Sequence, residues 1–181
     1  MRSLSILLAP LVLSLVPLLA CSGDEASELA DLESDLIPTG SPAPDVSFIT
    51  MDDGGLKLSS LRGKTLLLNF WFYDCEACRQ EMPQLQSLWS EVSSKRSDVA
   101  FLAINRGDEK EQIEYWWTNS EFTLQAVRQD DEDVSEAFGV KAYPTTYVVG
   151  PDGRVIYRGM GYDQEAQAKI RLALESTAPA R

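Results

Sequence analysis

The sequence predicts an α/β domain built on a central mixed β-sheet flanked by helices, and three observations carry that reading. The run Thr65 to Phe72 is dominated by apolar residues, as in a strand buried on both faces. At Glu76 the pattern changes to a helical period, with Met82, Leu85, Leu88, Trp89 and Val92 on one face. A second apolar run, Val99 to Asn105, then completes the strand–helix–strand order of a parallel pair. Further on, Thr145 to Val149, the turn Gly150-Pro151-Asp152-Gly153 and Arg154 to Arg158 form an antiparallel hairpin, which makes the sheet mixed.

Residues 1–20 stand apart from this domain. Arg2 is followed by an apolar stretch from Ser3 to Leu19, broken by Pro10 and Pro17, and Ala20 precedes Cys21. That is the layout of a secretory signal peptide rather than a spanning helix. Leu18-Leu19-Ala20-Cys21 also resembles a bacterial lipobox, whose cysteine becomes the lipid-modified first residue of the mature chain. Residues 21–41 then read as an acidic tether. Asp24, Glu25, Glu28, Asp31, Glu33 and Asp35 come with few large apolar residues, and Pro38, Gly40, Pro42 and Pro44 follow. A short amphipathic helix around Glu28 to Leu36 is the competing expectation.

The folded domain is expected over 42–178. Asp45 to Ile49 is a strand, and Asp52-Asp53-Gly54-Gly55 turns the chain into Leu56-Lys57-Leu58, giving an N-terminal β extension. The helix from Glu76 to about Ser94 contains Pro83, which removes one N–H and predicts a kink. Glu109 to Thr118 is a helix, Leu124 to Arg128 a short extended piece, and Val134 to Phe138 a helix ending at Gly139. Gln164 to Ser176 closes the domain. Of the adjacent Trp116 and Trp117, one is expected at the rim, packed under a loop or exposed.

Composition excludes whole classes of function. The formal net charge is −12, which argues against nucleic acid as a partner. The chain has no histidine, so haem attachment through C-x-x-C-H, Ser–His catalysis and most zinc sites are unavailable, and neither a cofactor nor a metal is expected. Three cysteines in an exported chain leave one unpaired, unless Cys21 carries lipid and Cys75 and Cys78 form a closed pair. Lipid on Cys21 would then be the membrane anchor, and Ser22 in place of an aspartate favours the outer membrane.

Cys75-Glu76-Ala77-Cys78 is the chemical centre. A C-x-x-C pair where a strand ends and a helix begins is a redox geometry, because a helix N-terminus favours thiolate. Asn69-Phe70-Trp71, the stretch from Cys75 through Met82 and Pro83, and Tyr143-Pro144-Thr145-Thr146-Tyr147 resemble the TlpA/ResA group of extracytoplasmic thioredoxin-like oxidoreductases. Leu61-Arg62-Gly63-Lys64 and Pro151-Asp152-Gly153 extend the resemblance, which runs from about Ser41 to Leu174.

The resemblance implies the thioredoxin fold, with Cys75 as nucleophile and Cys78 as resolving thiol. It implies a cis bond at Pro144, with the Tyr143 backbone offered to the substrate, and a proton relay at Glu81. Asp74 and Glu76 lie on the partner-facing surface. Two departures stand out: Asp74 replaces the tryptophan usual before the first cysteine, and Ala77 replaces a proline. At roughly 7 Å each acidic neighbour opposes the Cys75 thiolate by about half a pKa unit, which offsets the helix terminus, so a mild exchange site is expected rather than a strong oxidant.

The expected partners are protein dithiols or disulfides in the periplasm and a membrane or periplasmic electron donor, with the chain acting as a monomer. A reducing role, as in cytochrome c maturation, comes first. A thiol peroxidase would need proline at position 68 and Thr or Ser at 72, where the chain has Leu68 and Phe72. A non-catalytic binding module with a structural disulfide is the third reading.

Overall fold

β3 (Thr65–Trp71) is buried along its whole length and lies inside the seven-stranded sheet, whose order is β2-β1-β5-β4-β3-β6-β7. The computed structural model describes residues 24–129 and 133–177. Before β3 come α1 (Asp24–Asp35), β1 (Ser47–Thr50), β2 (Gly55–Lys57) and a 3-10 turn at Leu58–Leu61. After it come α2 (Glu76–Ser93), β4 (Val99–Asn105), α3 (Lys110–Asn119), β5 (Gln125–Arg128) and α4 (Asp133–Ala137). β6 (Thr145–Val149), β7 (Val155–Met160) and α5 (Gln164–Ser176) complete the chain.

β3 pairs in parallel with β4 from Thr65↔Val99 to Trp71↔Asn105, and antiparallel with β6 from Leu66↔Val149 to Phe70↔Thr145. The mixed sheet follows from the connections. α2 and α3 carry the chain over to parallel neighbours, whereas a tight turn joins β6 to β7. β1 and β2 form the expected N-terminal extension, attached through the antiparallel β1–β5 pair.

The alternation of side chains in β3 divides the core in two. Leu67 and Trp71 face Met82, Leu85 and Leu88 of α2, Ile113 of α3, and Ile170 and Leu174 of α5. Leu66, Leu68 and Phe70 face the opposite way, where Phe70, Phe138 and Tyr147 pack ring against ring with centroids 5.2–6.2 Å apart. Helix α2 runs unbroken through Pro83.

The expected tether departs from its reading. Residues 1–20, Cys21 and the first tether residues lie outside the described part. From Asp24 the chain is helical, and the domain begins at Leu36 rather than at residue 42. Leu36 is 1% exposed among Phe138 and Tyr147. The Ile37 N–H donates to the Tyr147 hydroxyl at 3.1 Å, and the Gly40 N–H to the Val155 carbonyl at 2.7 Å. Gly139, at φ +68°, lets the Asp35 carbonyl approach so closely that any Cβ would sit 1.9 Å from it. The physical reason is local: α4 is only one turn long, and Leu36 covers the sheet face it leaves open.

Replacing Leu36 by alanine should therefore lower the unfolding free energy by about 2–5 kcal/mol, the range for a fully buried leucine. Urea denaturation of the full chain measures this, and an unchanged midpoint would mean the segment is a free tether.

Candidate active site

The site is assembled where β3 ends. The Trp71 carbonyl accepts the Arg106 N–H at 3.0 Å, which closes the β3–β4 ladder, and the chain leaves the sheet through Phe72, Tyr73 and Asp74. Cys75 caps α2: its sulfur accepts the Cys78 N–H at 3.1 Å and its carbonyl accepts the Arg79 N–H at 3.0 Å. Cys75 and Cys78 are joined as a disulfide with an S–S distance of 1.98 Å. The two ends of this bond differ. Cys75 is 7% exposed at the positive end of the helix, while Cys78 is 0% exposed one turn inside. Asp74 and Glu76 are exposed on either side of Cys75, and Glu76 accepts a hydrogen bond from Gln80 at 3.2 Å.

A second loop faces this one. The Tyr143–Pro144 peptide bond is cis, and the Pro144 carbonyl accepts the Gly161 N–H at 2.8 Å. The Tyr143 ring meets Phe72 edge-on at 5.4 Å, bringing the proline loop against the approach to Cys75. Polar groups hold both loops from behind. Asp108 accepts the Tyr73 N–H and an N–H of the buried Asn105, each at 2.6 Å. Gln129 accepts from Ser135, whose hydroxyl lies 3.1 Å from that of Tyr143.

Glu81 is not a solvated helix glutamate. It is 2% exposed, three residues after Cys78, and accepts from Asn69 Nδ2 at 2.8 Å and from the Thr146 hydroxyl at 3.5 Å. Asn69 Nδ2 also donates to Thr146 at 2.9 Å. Burial pushes the Glu81 carboxyl up to about 7, and the two hydrogen bonds pull the other way without cancelling it. One edge of Glu81 lines a cleft of about 360 Å³ between α2 and α5, beside Gln84, Tyr162 and Gln167. The carboxyl thus changes protonation near neutrality, beside the cleft.

The structure brings together Cys75, Cys78, Tyr143 and Pro144, with Asp74 and Glu76 on the rim and Glu81 behind. Sequence reasoning passed over Asn69, Thr146, Asp108, Asn105, Gln129 and Ser135. A signal existed for the first of these, because a lone asparagine in a buried strand needs a buried partner. Rim packing under a loop, expected for one of the two tryptophans, holds for both, which meet Phe122 of the following loop. Trp116 and Trp117 are both half-buried, and both contact Trp71, with centroids 5.0 and 5.1 Å away. They sit three and four residues after the buried Ile113, so they straddle its inward face rather than divide between inside and outside.

A strand-end disulfide, a cis-proline loop against it and this sheet order define a thioredoxin-fold redox protein. Residues 39–158 match the model of the AhpC/TSA family. The thiol-disulfide oxidoreductase ResA of Bacillus subtilis is 32% identical over 122 residues, covering 66% of each chain. ResA of Geobacillus thermodenitrificans is 31% identical over 68% of this chain and 70% of its own. The thioredoxin-like protein YneN of Bacillus subtilis is 30% identical over 75% and 81%. The thioredoxin domain of a thiol-disulfide oxidoreductase from Bacteroides vulgatus shares the fold, with a TM-score of 0.66 at 21% identity over 76% of this chain and 99% of that one. The chain belongs to the AhpC/TSA family, and within it to the thiol–disulfide oxidoreductases of the ResA type.

The Glu81 carboxyl has a pH signature. Its pKa in the folded chain, about 7, lies above the ordinary 4.5, so the folded state binds more protons between those values and stability falls as pH rises through that window. The loss is on the order of 3 kcal/mol, complete above pH 7 and absent below 4.5. Denaturation of the oxidised chain at a series of pH values should show this slope, and Glu81→Gln should remove it.

Proposed function

We propose that this chain exchanges disulfides with exported proteins and acts as a reductant, held at the membrane by lipid on Cys21. The observation that carries the exchange chemistry is the asymmetry of the pair: the sulfur that can be reached is also the one at the helix N-terminus. In the reduced chain the Cys75 thiolate attacks one sulfur of a partner disulfide, and the partner's other sulfur leaves as a thiolate that takes a proton from solvent. Cys78 gives its proton to Glu81 in its carboxylate form, which a pKa of about 7 leaves about half populated at neutral pH, and attacks the Cys75 sulfur. The partner's second sulfur then leaves. Two electrons have passed to the partner, and the Cys75–Cys78 disulfide remains. An external dithiol in the periplasm or membrane restores the thiols and is itself oxidised. Tyr143 and Pro144 offer backbone to the partner segment, while Asp74 and Glu76 on the rim contact it and keep the thiol mild.

The peroxidase reading finds no support at the residues it needs. Leu68 is fully buried in the middle of β3, and Phe72 brings a ring where a hydroxyl is required. The anchor reading rests on the leader, on the lipobox-like segment and on pairing. Cys75 and Cys78 are bonded to each other, so the remaining one of three cysteines, Cys21, has no partner within the chain. Among the described residues no helix is long and apolar enough to cross a membrane. A periplasmic site on the outer membrane is the location this implies.

Two experiments test the proposal. Cys78→Ser should accumulate a mixed disulfide with its partner, Cys75→Ala should lose insulin reduction altogether, and the pair should have a reduction potential below about −220 mV. A potential near −120 mV would reverse the direction. Cys21→Ala should move the protein from the membrane fraction to the soluble periplasmic fraction; retention in the membrane would sink the lipid anchor.

A further inference from the structure

Arg79 and Arg106 differ from every other arginine among the described residues. Arg62, Arg96, Arg128, Arg154, Arg158 and Arg171 each donate to a carboxylate or carbonyl oxygen. The guanidinium groups of Arg79 and Arg106 meet no oxygen. Each lies instead over a tyrosine ring, Arg79 at 5.5 Å from the centroid of Tyr73 and Arg106 at 5.4 Å from that of Tyr143. In a chain with 28 acidic and 16 basic residues, two unpaired arginines are not explained by a shortage of carboxylates.

Both stand at the disulfide. Arg79 follows Cys78 directly, and Arg106 is bound through its backbone to Trp71, the last residue of the strand that leads to Cys75. The supporting tyrosines are fixed in turn, Tyr73 by Asp108 and by the edge of Trp116, Tyr143 by Ser135 and Phe72. A guanidinium held over an aromatic face keeps N–H donors available for a carboxylate. Each arginine lines its own cleft. That of Arg79 measures about 450 Å³ and is lined by Pro83, Trp116 and Phe122, with Glu76 at the side nearest Cys75 in sequence, where it is engaged by Gln80. That of Arg106 measures about 410 Å³ and includes Glu136, Gln129 and Lys141, the last already paired with Asp35 at 2.8 Å. Asp74 and Glu76, exposed on either side of Cys75, repel an acidic group placed directly at the sulfur.

We propose that Arg79 and Arg106 take carboxylate side chains of the partner segment, one on each side of its exchanging cysteine and a few residues away from it. The chain would thereby select partners that are acidic around, but not at, the reactive cysteine. This deepens the exchange reading and rests on it.

The test uses the full chain in its reduced form and three disulfide peptides that differ only in carrying Glu, Ser or Lys two or three residues out from the cysteine on each side. Hydroxyethyl disulfide serves as an uncharged control. The Glu peptide should exceed the Lys peptide by about tenfold in kcat/KM at low salt, and the ratio should shrink in about 0.5 M salt. Arg79→Gln and Arg106→Gln should each cut that ratio by about threefold, Arg→Lys should keep most of it, and the double Arg→Glu variant should reverse it. A wild-type ratio near one, or one that survives the double charge reversal, overturns the proposal. Affinities for the same peptides with serine in place of cysteine require no exchange. A Glu-over-Lys preference there without turnover of any disulfide overturns the exchange reading alone, and turnover of hydroxyethyl disulfide without any preference overturns this one alone.

Discussion

The hydrogen bonds that Asn69 and Thr146 make to Glu81 tie together the three elements on which everything else depends. Asn69 belongs to the strand that delivers Cys75, Glu81 to the helix that carries Cys78, and Thr146 to the strand that follows Pro144. A carboxylate in so dry a place is costly, and two donors recover only part of the solvation it loses, which is why the group keeps its proton to about pH 7. One interaction therefore joins the three elements of the site and sets the protonation of its buried carboxyl. Asn69 Oδ1 has no partner, so the triad is left short of full hydrogen bonding next to the chemistry.

The loops around the disulfide are held by hydrogen bonds too. Asp108, in the loop after β4, accepts the Tyr73 N–H, while Ser135 of α4, bonded to Gln129 just after β5, meets the Tyr143 hydroxyl. Trp71, enclosed by Trp116 and Trp117, forms an aromatic floor under the helix terminus. Around the sulfur the surface carries Asp74 and Glu76, while Arg79 and Arg106 lie over tyrosine rings.

Much of this was legible beforehand. The strand boundaries at Thr65 and Val99, the hairpin around Gly150 to Gly153 and the start of the helix at Glu76 follow from periodicity and turn chemistry, which are local. The redox pair was legible because its spacing and its place at a strand–helix junction are local too. Misreadings arose where a residue's neighbours are distant in the chain. Leu36 looked like part of a polar linker, because the face of Phe138 and Tyr147 that it covers comes a hundred residues later.

The sequence by itself determined the α/β order, the cysteine pair and the absence of histidine, and the resemblance it carries pointed to Glu81, Tyr143 and Pro144. Only the tertiary structure decided that Glu81 is buried with a raised pKa, that Tyr143–Pro144 is cis and lies against Phe72, and that two arginines are left without oxygen partners. Burial and hydrogen bonding are properties of what surrounds a side chain. For Glu81 the surroundings come from positions 69 and 146, which no local pattern around Cys75-Glu76-Ala77-Cys78 reveals.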